Sequence, residues 1–316
     1  MHRFHLPFLA FFLAWQTLDA AETLPEIAER AKPGILGVAV YDFRTGQTQG
    51  VNLSGSFLLQ SVFKIFLAAT VLDRIDAGSL SLDQTVKLTR SDLRAGVGSI
   101  DNSKGGTFTV RALLKAAIEQ SDNTAADALL RLVGGPGEVT AWLRGKGIAD
   151  IRVDRDERTL SRDESGIPAD FHPDQNAADL RDQISQTTRH AAFKAALVDP
   201  RDTATPEAVI HFLVALKEGS LLSSTSTNLL LHLMSEAKTG TDRLKAGFPK
   251  KTVLAHKTGT SGTFEGISLA TNDIGIATLP DGRTLAIAVF LGNSPAAEET
   301  RNAIIAACAR TVAKSP

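Results

Sequence analysis

Serine and lysine stand three positions apart at two places in the sequence, a spacing that could put a nucleophile and a proton acceptor on one face of a helix. Ser61 and Lys64 form the first pair, and Ser235 and Lys238 form the second. The first pair opens a helical stripe of apolar residues, where the positive end of the helix dipole would stabilise a developing alkoxide. The second pair falls at the end of a helical pattern, just before Gly240, where the dipole has the opposite sign. We therefore predict that Ser61 is the nucleophile of an acyl transfer and that Lys64 accepts its proton.

Two further short elements also occur twice. A serine two positions before an asparagine is found at 121–123 and at 226–228, and the tripeptide Lys-Thr-Gly is found at 257–259 and at 238–240. The copy at 257–259 ends the strand-like run 252–256. An exposed strand edge at that point could pair with an extended substrate and present a backbone N–H to its carbonyl oxygen. The copy at 238–240 follows a helical pattern and is typical of a helix terminus, so we expect the copy at 257–259 to bind substrate.

Strand patterns at the two ends of the chain bracket a helical middle, and these elements must position the reactive groups. Residues 35–53 are typical of a hairpin that turns near Gly46. Helical periodicity follows over 61–78, 109–119, 123–133, 137–145, 206–218 and 224–236. Strands are then predicted over 252–258, 266–271, 274–279 and 284–291, with turns at 272–273 and 280–282, before a last helix over 296–314. The pattern predicts an α/β (α+β) fold, in which one antiparallel sheet built from both termini is flanked by helices and stands beside an all-helical subdomain.

The first 21 residues differ from the rest of the chain. Arg3 supplies a short basic start, an apolar stretch follows over 6–15, and the small residues Ala20 and Ala21 precede a polar one. This pattern is typical of a secretory signal peptide, and the apolar stretch is too short to span a bilayer. We predict a signal peptide over 1–21 and one domain over 22–316, with an α/β part at about 22–60 and 220–316 and a helical part at about 61–219.

Composition disfavours several classes of function. Lys and Arg number 34 against 35 Asp and Glu, and the formal net charge of −1 gives no general attraction to nucleic acid. The seven His residues show no metal-binding spacing, so we expect no metal and no cofactor. Cys308 is the single cysteine, which rules out an intrachain disulfide, and its alanine-rich helical surroundings predict a small buried side chain.

A family resemblance emerges when the elements are taken together. In their order along the chain, they resemble the three signature elements of the serine penicillin-recognising enzymes: Ser61 with Lys64, Ser121 with Asn123, and Lys257 with Thr258 and Gly259. Glu157, within the stretch 152–160, resembles the glutamate of class A β-lactamases. The run 256–262, which reads HKTGTSG, resembles the extended-spectrum subgroup of that class. The resemblance covers nearly all of the chain after residue 21 and implies a serine β-lactamase/transpeptidase-like fold.

The resemblance implies hydrolysis of the β-lactam amide of penicillins and cephalosporins, which gives antibiotic resistance. Ser61 would attack the lactam carbonyl while Lys64 accepts its proton, directly or in relay with Glu157. Ser121 would pass a proton to the lactam nitrogen. Glu157 would then activate the water that hydrolyses the acyl-enzyme ester.

The same resemblance assigns substrate binding to Asn123, Lys257, Thr258, Gly259 and Thr260. Lys257 and Thr258 would hold the substrate carboxylate. Asn123 would orient the lysine of the nucleophile element and the side-chain amide of the substrate. The backbone N–H of Thr260 would form an oxyanion hole together with that of the nucleophilic serine.

Three departures from the family pattern stand out. Ser161 occupies the position of an asparagine that helps to hold the hydrolytic water, and serine offers fewer hydrogen-bonding groups. Arg155 and Asp202 match the ion pair that closes the glutamate loop, but 46 residues separate them, and 176–197 has a helix-like composition. This enlarged loop is either an added surface helix or a lid that shapes the substrate pocket. Many relatives carry a carboxylate-binding arginine on the strand that follows Lys-Thr-Gly, but residues 263–271 contain no arginine. Arg243 either replaces that arginine in carboxylate binding or is a solvated charge at a helix end.

Two other functions stay open at this stage. A D-alanyl-D-alanine carboxypeptidase-like cell-wall enzyme shares the serine, lysine and Lys-Thr-Gly elements, but it lacks the deacylating glutamate, so Glu157 disfavours it. A slow-turnover β-lactam-binding protein would be acylated and would stay so. For the main hypothesis we expect a small-molecule β-lactam as the partner and no nucleic acid. We also expect a monomer that is secreted to the periplasm and keeps no stable membrane association after signal cleavage.

Overall fold

The computed structural model describes residues 22–168 and 183–314. In those ranges the strands are β1 (Ile35–Asp42), β2 (Gln47–Val51), β3 (Phe57–Leu58), β4 (Thr85–Leu88), β5 (Gly106–Thr109), β6 (Thr203–Ala204), β7 (Val253–Thr260), β8 (Thr263–Phe264), β9 (Ile267–Thr278) and β10 (Thr284–Ser294). One antiparallel sheet has the order β2-β1-β10-β9-β7, and β8 also pairs with β9. Since β1 pairs with β10, the sheet is built from both termini, as predicted.

Helices fill most of the remaining chain. Within the described ranges they are α1 (Leu24–Arg30), α2 (Phe63–Asp76), α3 (Val110–Glu119), α4 (Asn123–Val133), α5 (Pro136–Gly145), α6 (Glu157–Ser165), α7 (Gln186–Ala196), α8 (Pro206–Lys217), α9 (Ser224–Ser235), α10 (Leu244–Gly247) and α11 (Glu298–Lys314). Several of these helices have a polar side chain at the N-cap that accepts a hydrogen bond from the first turn. Thr205, for example, accepts a hydrogen bond from the backbone N–H of Ala208, and Pro206 occupies the first turn of α8.

The sheet separates two apolar cores. Successive residues of β1 point to opposite faces, so Ala39 packs with α2 to α5, α8 and α9, whereas Val38 and Val40 pack with α1, α10 and α11. The predicted arrangement of a sheet flanked by terminal helices beside a helical part is therefore confirmed. Cys308 is buried in the second core, and burial raises the pKa of its thiol to about 12, consistent with the predicted apolar role.

One predicted turn is wrong. Residues 272–273 lie in the middle of β9, which runs without interruption from Ile267 to Thr278. Both side chains are buried and bonded to other elements: Asn272 donates to the carbonyls of Leu58 and Leu59, and Asp273 contacts His256. Because these partners are distant in sequence, the turn-like composition of this dipeptide misleads a local prediction.

Candidate active site

The turn before α2 presents the predicted nucleophile. Ser61 lies in a 3₁₀ turn, Gln60–Val62, that leads directly into α2. Gln60 has a positive φ of 48°, a strained conformation that a non-glycine residue keeps only when its surroundings enforce it. Lys64 is fully buried in the first turn of α2, and its Nζ lies 3.1 Å from Ser61 Oγ.

The amino group of Lys64 joins three parts of the site. Its Nζ donates to Asn123 Oδ1 at 2.6 Å and to the carbonyl of Ser121 at 2.7 Å. It also lies 2.9 Å from Glu157 Oε1. The structure thus brings three separate sequence elements to one buried amino group, and the surrounding oxygens compensate for taking that group out of water.

A second buried lysine approaches from β7. Lys257 Nζ donates to Ser121 Oγ at 2.8 Å and to the carbonyl of Thr258 at 2.9 Å. Burial, reinforced by the nearby charge of Lys64, lowers the pKa of Lys257 well below its usual range. Ser121 itself has a positive φ of 60°. Because Lys257 donates to the Ser121 oxygen, the hydroxyl proton of Ser121 can point to another acceptor.

Asp122 supports this strained turn without facing the reactive groups. Its Oδ1 accepts from the backbone N–H of Ala125 and caps α4, and its Oδ2 accepts from the N–H groups of Ile100 and Asp101. Asp101 in turn accepts from the backbone of Asn123 at 3.2 Å. The carboxylate of Asp122 therefore fixes the segment 100–101 to the start of α4, next to Ser121.

The end of β7 passes very close to the nucleophile turn. A Cβ placed on Gly259 would lie 2.4 Å from the carbonyl oxygen of Leu59 and 3.2 Å from the Cβ of Gln60. No side chain fits in that space, which explains why glycine follows Thr258. The following residue, Thr260, consequently lies next to the turn that carries Ser61, at the edge of the sheet.

Arg243 is buried and is not the solvated charge that was one of its two interpretations. Its Nη2 donates to Thr260 Oγ1 at 2.8 Å, and its Nη1 donates to the carbonyl of Asn272 at 3.0 Å. Asn302, on α11, accepts from its Nε at 2.8 Å. The guanidinium thus lies directly behind the threonine at the end of β7. The contribution of Asn302 could not be foreseen, because 59 residues separate it from Arg243.

Glu157 is the first residue of α6, where Asp156 is the capping residue and accepts from the N–H of Thr159. The predicted ion pair at the base of the loop is present, with Arg155 Nε 2.5 Å from Asp202 Oδ2. Ser161 lies one helical turn after Glu157 on α6, so the two residues share a face. The helix α6 therefore carries the carboxylate on a rigid element rather than on an irregular loop.

Asp127 is a residue of the site that sequence reasoning missed. Its Oδ1 accepts from the backbone N–H of Glu157 at 2.7 Å, and its Oδ2 lies 2.5 Å from Arg94 Nε. Burial raises the pKa of Asp127 to about 6, despite the opposing effect of Arg94. The spacing offered a signal, since Asp127 lies four residues after Asn123 and so on the same face of α4.

Asp127→Asn should raise the free energy of unfolding near pH 8, because asparagine keeps an acceptor for Glu157 N–H without a buried charge. The difference between pKa values of 3.8 and about 6 corresponds to roughly 3 kcal/mol by which folding disfavours the charged carboxylate. The raised pKa makes this cost fully present above pH 6 and removes it as the pH falls toward 4. In urea unfolding, the free energies of unfolding of the variant and the wild type should therefore differ clearly at pH 8 and agree near pH 4. A variant that is less stable at pH 8 would contradict this prediction.

The duplicate elements lie outside this cluster. Ser235 ends α9, and its Oγ donates to the carbonyl of His232 at 2.7 Å. Thr239 shares a hydrogen bond of 2.6 Å with Thr258, and Gly240 adopts a positive φ of 71°. The second Lys-Thr-Gly therefore supports the first from behind. Of the predicted helix over 176–197, residues 186–196 form α7, which begins after its capping residue Ser185, so the prediction is wrong for 183–185. Residues 176–182 lie outside the described residues.

Comparison with known proteins identifies the family. A model of the β-lactamase enzyme family matches residues 19–315. A solved structure of an ancestral class A β-lactamase has a TM-score of 0.76 and 34% identity, over 92% of this chain and 98% of that one. The chain belongs to the class A β-lactamases.

Other similar β-lactamases come from contemporary bacteria. The extended-spectrum β-lactamase PER-1 of Pseudomonas aeruginosa is 33% identical over 307 residues, which cover 95% of this chain and 89% of that protein. A β-lactamase from Chitinophaga pinensis has a TM-score of 0.78 and 33% identity, over 92% and 96% of the two chains. As a class A serine β-lactamase, this protein hydrolyses β-lactams and gives antibiotic resistance. Neither the carboxypeptidase-like function nor the slow-turnover binding function receives support from these relatives.

Proposed function

We propose that this class A β-lactamase opens its substrate through an acyl-enzyme on Ser61. The observation that carries the proposal is the position of Lys64 Nζ, which lies 3.1 Å from Ser61 Oγ and 2.9 Å from Glu157 Oε1. Through this amino group, the proton of Ser61 can pass to Lys64 or onward to Glu157 while Oγ attacks the lactam carbonyl. The start of α2 stabilises the negative charge that develops on the attacking oxygen.

Ser121 completes ring opening by protonating the lactam nitrogen. Its Oγ lies within hydrogen-bond reach of the two buried lysines, at 2.8 Å from Lys257 Nζ and 3.5 Å from Lys64 Nζ. A proton given to the leaving nitrogen can therefore be replaced from Lys64. Asn123 fixes the position of Lys64 and offers its amide to the substrate side chain.

The substrate carboxylate binds at Lys257 and Thr258, with Arg243 behind them. Lys257 is buried with a lowered pKa, so an anionic ligand beside it would favour its charged form. The backbone N–H groups of Ser61 and Thr260 form the oxyanion hole. The close approach of Gly259 to the nucleophile turn supports this pairing.

Deacylation is the task of Glu157, which removes a proton from the water that attacks the ester on Ser61. Asp127 holds the backbone of Glu157 at 2.7 Å, and Asp156 caps the helix that displays it. Ser161, one turn further along α6, is the nearest equivalent of a water-holding asparagine.

Export to the periplasm, with cleavage of residues 1–21 and a single mature domain over 22–316, is proposed from the N-terminal pattern. Residues 1–21 lie outside those that the structure describes. Among the described residues, no helix is long and apolar enough to cross a bilayer. We propose that the mature protein acts as a monomer, since every catalytic group named above comes from one chain.

One sample can test mechanism and export together. Protein purified from the envelope of its host should be mixed with penicillin, quenched in acid and measured by mass. We expect a chain that starts near residue 22, and we expect the fraction that the acid traps during turnover as a penicilloyl ester to yield a labelled peptide containing Ser61. Retention of residues 1–21 would contradict export, and a label on a peptide without Ser61 would contradict the mechanism.

A further inference from the structure

One short segment covers a row of polar side chains on β7. Alternate side chains of a strand point to the same face, so His256, Thr258 and Thr260 lie in one row. Asp273 joins this row from β9, because it is the register partner of Thr258. Residues 239–244, which include the threonine and the glycine of the second Lys-Thr-Gly, lie across the row. We call them the backing segment.

The backing segment contacts the end of β7 at three points. Gly240 packs directly on the row, since a Cβ placed there would lie 2.4 Å from Cγ2 of Thr258. Just before it, Thr239 Oγ1 shares a hydrogen bond of 2.6 Å with Thr258 Oγ1. Further along, Arg243 Nη2 donates to Thr260 Oγ1 at 2.8 Å. Both threonine hydroxyls at the end of the edge strand are therefore bonded to the backing segment.

Asp273 fixes the last residue of the backing segment to the sheet. Its side chain is fully buried, and its Oδ2 accepts from the backbone N–H of Leu244 at 3.2 Å. Its Oδ1 lies 2.9 Å from Nδ1 of His256, which is itself buried. Because His256 occupies one oxygen, the other is held toward Leu244. The preceding residue, Arg243, is thereby kept where its guanidinium reaches Thr260.

The hydroxyl of Thr258 needs such a support. The proposed binding mode places the substrate carboxylate at Lys257 and Thr258, and a threonine hydroxyl has only one proton to donate. When Thr239 donates to Thr258, the proton of Thr258 is free to point at the carboxylate. Without the hydroxyl of Thr239, Thr258 loses the donor that orients it.

Charge and hydrogen bonding give Asp273 two roles with opposite effects on a substrate carboxylate. As an anion it repels the carboxylate. It is also the strongest charge that opposes the burial by which the pKa of Arg243 is lowered. As an acceptor it holds the backing segment at Leu244. Each of its two oxygens lies beside a nitrogen, which favours the second role.

We propose that Asp273 and Thr239 are positioning residues of the carboxylate site. Asp273 anchors the backing segment, and Thr239 orients the hydroxyl of Thr258. The second Lys-Thr-Gly thus has a function of its own, which uses its threonine and its glycine, whereas the side chain of Lys238 is exposed. This inference rests on the proposed function, because that function places the substrate carboxylate at Thr258.

The test compares kcat/KM for a cephalosporin and for the methyl ester of its carboxylate. The wild type should prefer the free acid. Asp273→Asn should keep this acid-to-ester ratio at or above the wild-type value, because asparagine offers an acceptor to the N–H of Leu244 and an amide N–H to His256. Asp273→Ala should give a ratio about fivefold lower than Asp273→Asn, the size expected for a lost hydrogen bond. The loss should appear as a higher KM for the acid at a similar kcat.

Both substitutions remove the charge of Asp273, so the difference between them measures the hydrogen bonds alone. A second pair of variants tests Thr239, which is half-buried. Thr239→Val keeps the size of the side chain without its hydroxyl and should lower the acid-to-ester ratio about threefold. Thr239→Ser should restore the ratio. If Asp273→Ala does not fold, the comparison of these two variants decides the matter.

Asp76→Ala provides the matched control. Asp76 also accepts from a backbone N–H, that of Ser223 at 2.8 Å, but it ends α2 and so lies far from Ser61. This variant should be less stable and should keep the wild-type ratio. Equal ratios for the alanine and asparagine variants of Asp273, or an unchanged ratio in Thr239→Val, overturn the inference. A wild type that hydrolyses acid and ester equally well would overturn the proposed carboxylate site itself.

Discussion

Ser61→Ala should abolish turnover of penicillins and cephalosporins, with a fall in kcat of at least roughly 10⁴-fold, as for loss of other serine nucleophiles. The reason is chemical: without Oγ no ester can form, and Lys64 and Glu157 have no proton to remove from the nucleophile. The fold should persist, because the turn Gln60–Val62 needs no side-chain cap from Ser61. Steady-state hydrolysis measures the loss of turnover. Intact mass after incubation with penicillin measures the loss of the penicilloyl ester.

Ser235→Ala is the matched control, since Ser235 also precedes a lysine by three positions. Its hydroxyl donates to the carbonyl of His232 at the end of α9, where the helix dipole would oppose a negative charge. We expect turnover and labelling close to those of the wild type. Surviving penicilloyl labelling in Ser61→Ala would show that another residue is the nucleophile.

Glu157→Gln should convert the enzyme into one that is acylated and then stalls. Glutamine keeps the size and the hydrogen bonding of the side chain but cannot accept a proton from water. Acylation can still proceed through Lys64, so the ester on Ser61 should accumulate as one adduct per chain. Steady-state hydrolysis should fall by roughly 10²–10⁴, the contribution typical of a general base.

Glu138→Gln is a suitable control for the loss of one carboxylate, because Glu138 is exposed on α5 and pairs only with Arg74 among the contacts described. It should hydrolyse β-lactams as the wild type does. Normal turnover by Glu157→Gln would show that another carboxylate serves as the base, and Asp156 and Glu164 would be the next candidates to test.

The sequence allows prediction of the fold class and of the reactive elements because both depend on local signals. Periodicity predicts α2 and α4, Asp122 caps α4, and Ser61 and Asn123 lie where those helices begin. The choice between Ser61 and Ser235 follows from the sign of the helix dipole, which is also a local property. The structure then brings Ser61, Ser121 and Asn123 to the amino group of Lys64, and it brings Lys257 to Ser121.

The features that escaped prediction all depend on contacts between distant segments. Asn272 and Asp273 look like turn residues, yet buried partners on other elements keep them in β9. In the sequence Asp127 looks like an ordinary helix residue, and only the folded chain shows that it accepts a hydrogen bond from the N–H of Glu157. The contact of Phe193 with Phe264 joins an insertion to a strand 71 positions later, as counted along the chain. No local pattern encodes which of many apolar side chains will meet.

The pairing of β1 with β10 has a consequence for biosynthesis. About 240 residues separate the two strands, so at a ribosomal rate of about 5–20 residues per second β1 emerges roughly 12–50 s before its partner exists. During that interval the apolar residues of β1 have neither a neighbouring central strand nor a finished core. Translation of the last fifty residues, rather than of the catalytic helices, is therefore the event that permits the sheet to form. A nascent chain stopped before β10 should remain a substrate for holdase chaperones, although it already contains every residue assigned here to catalysis.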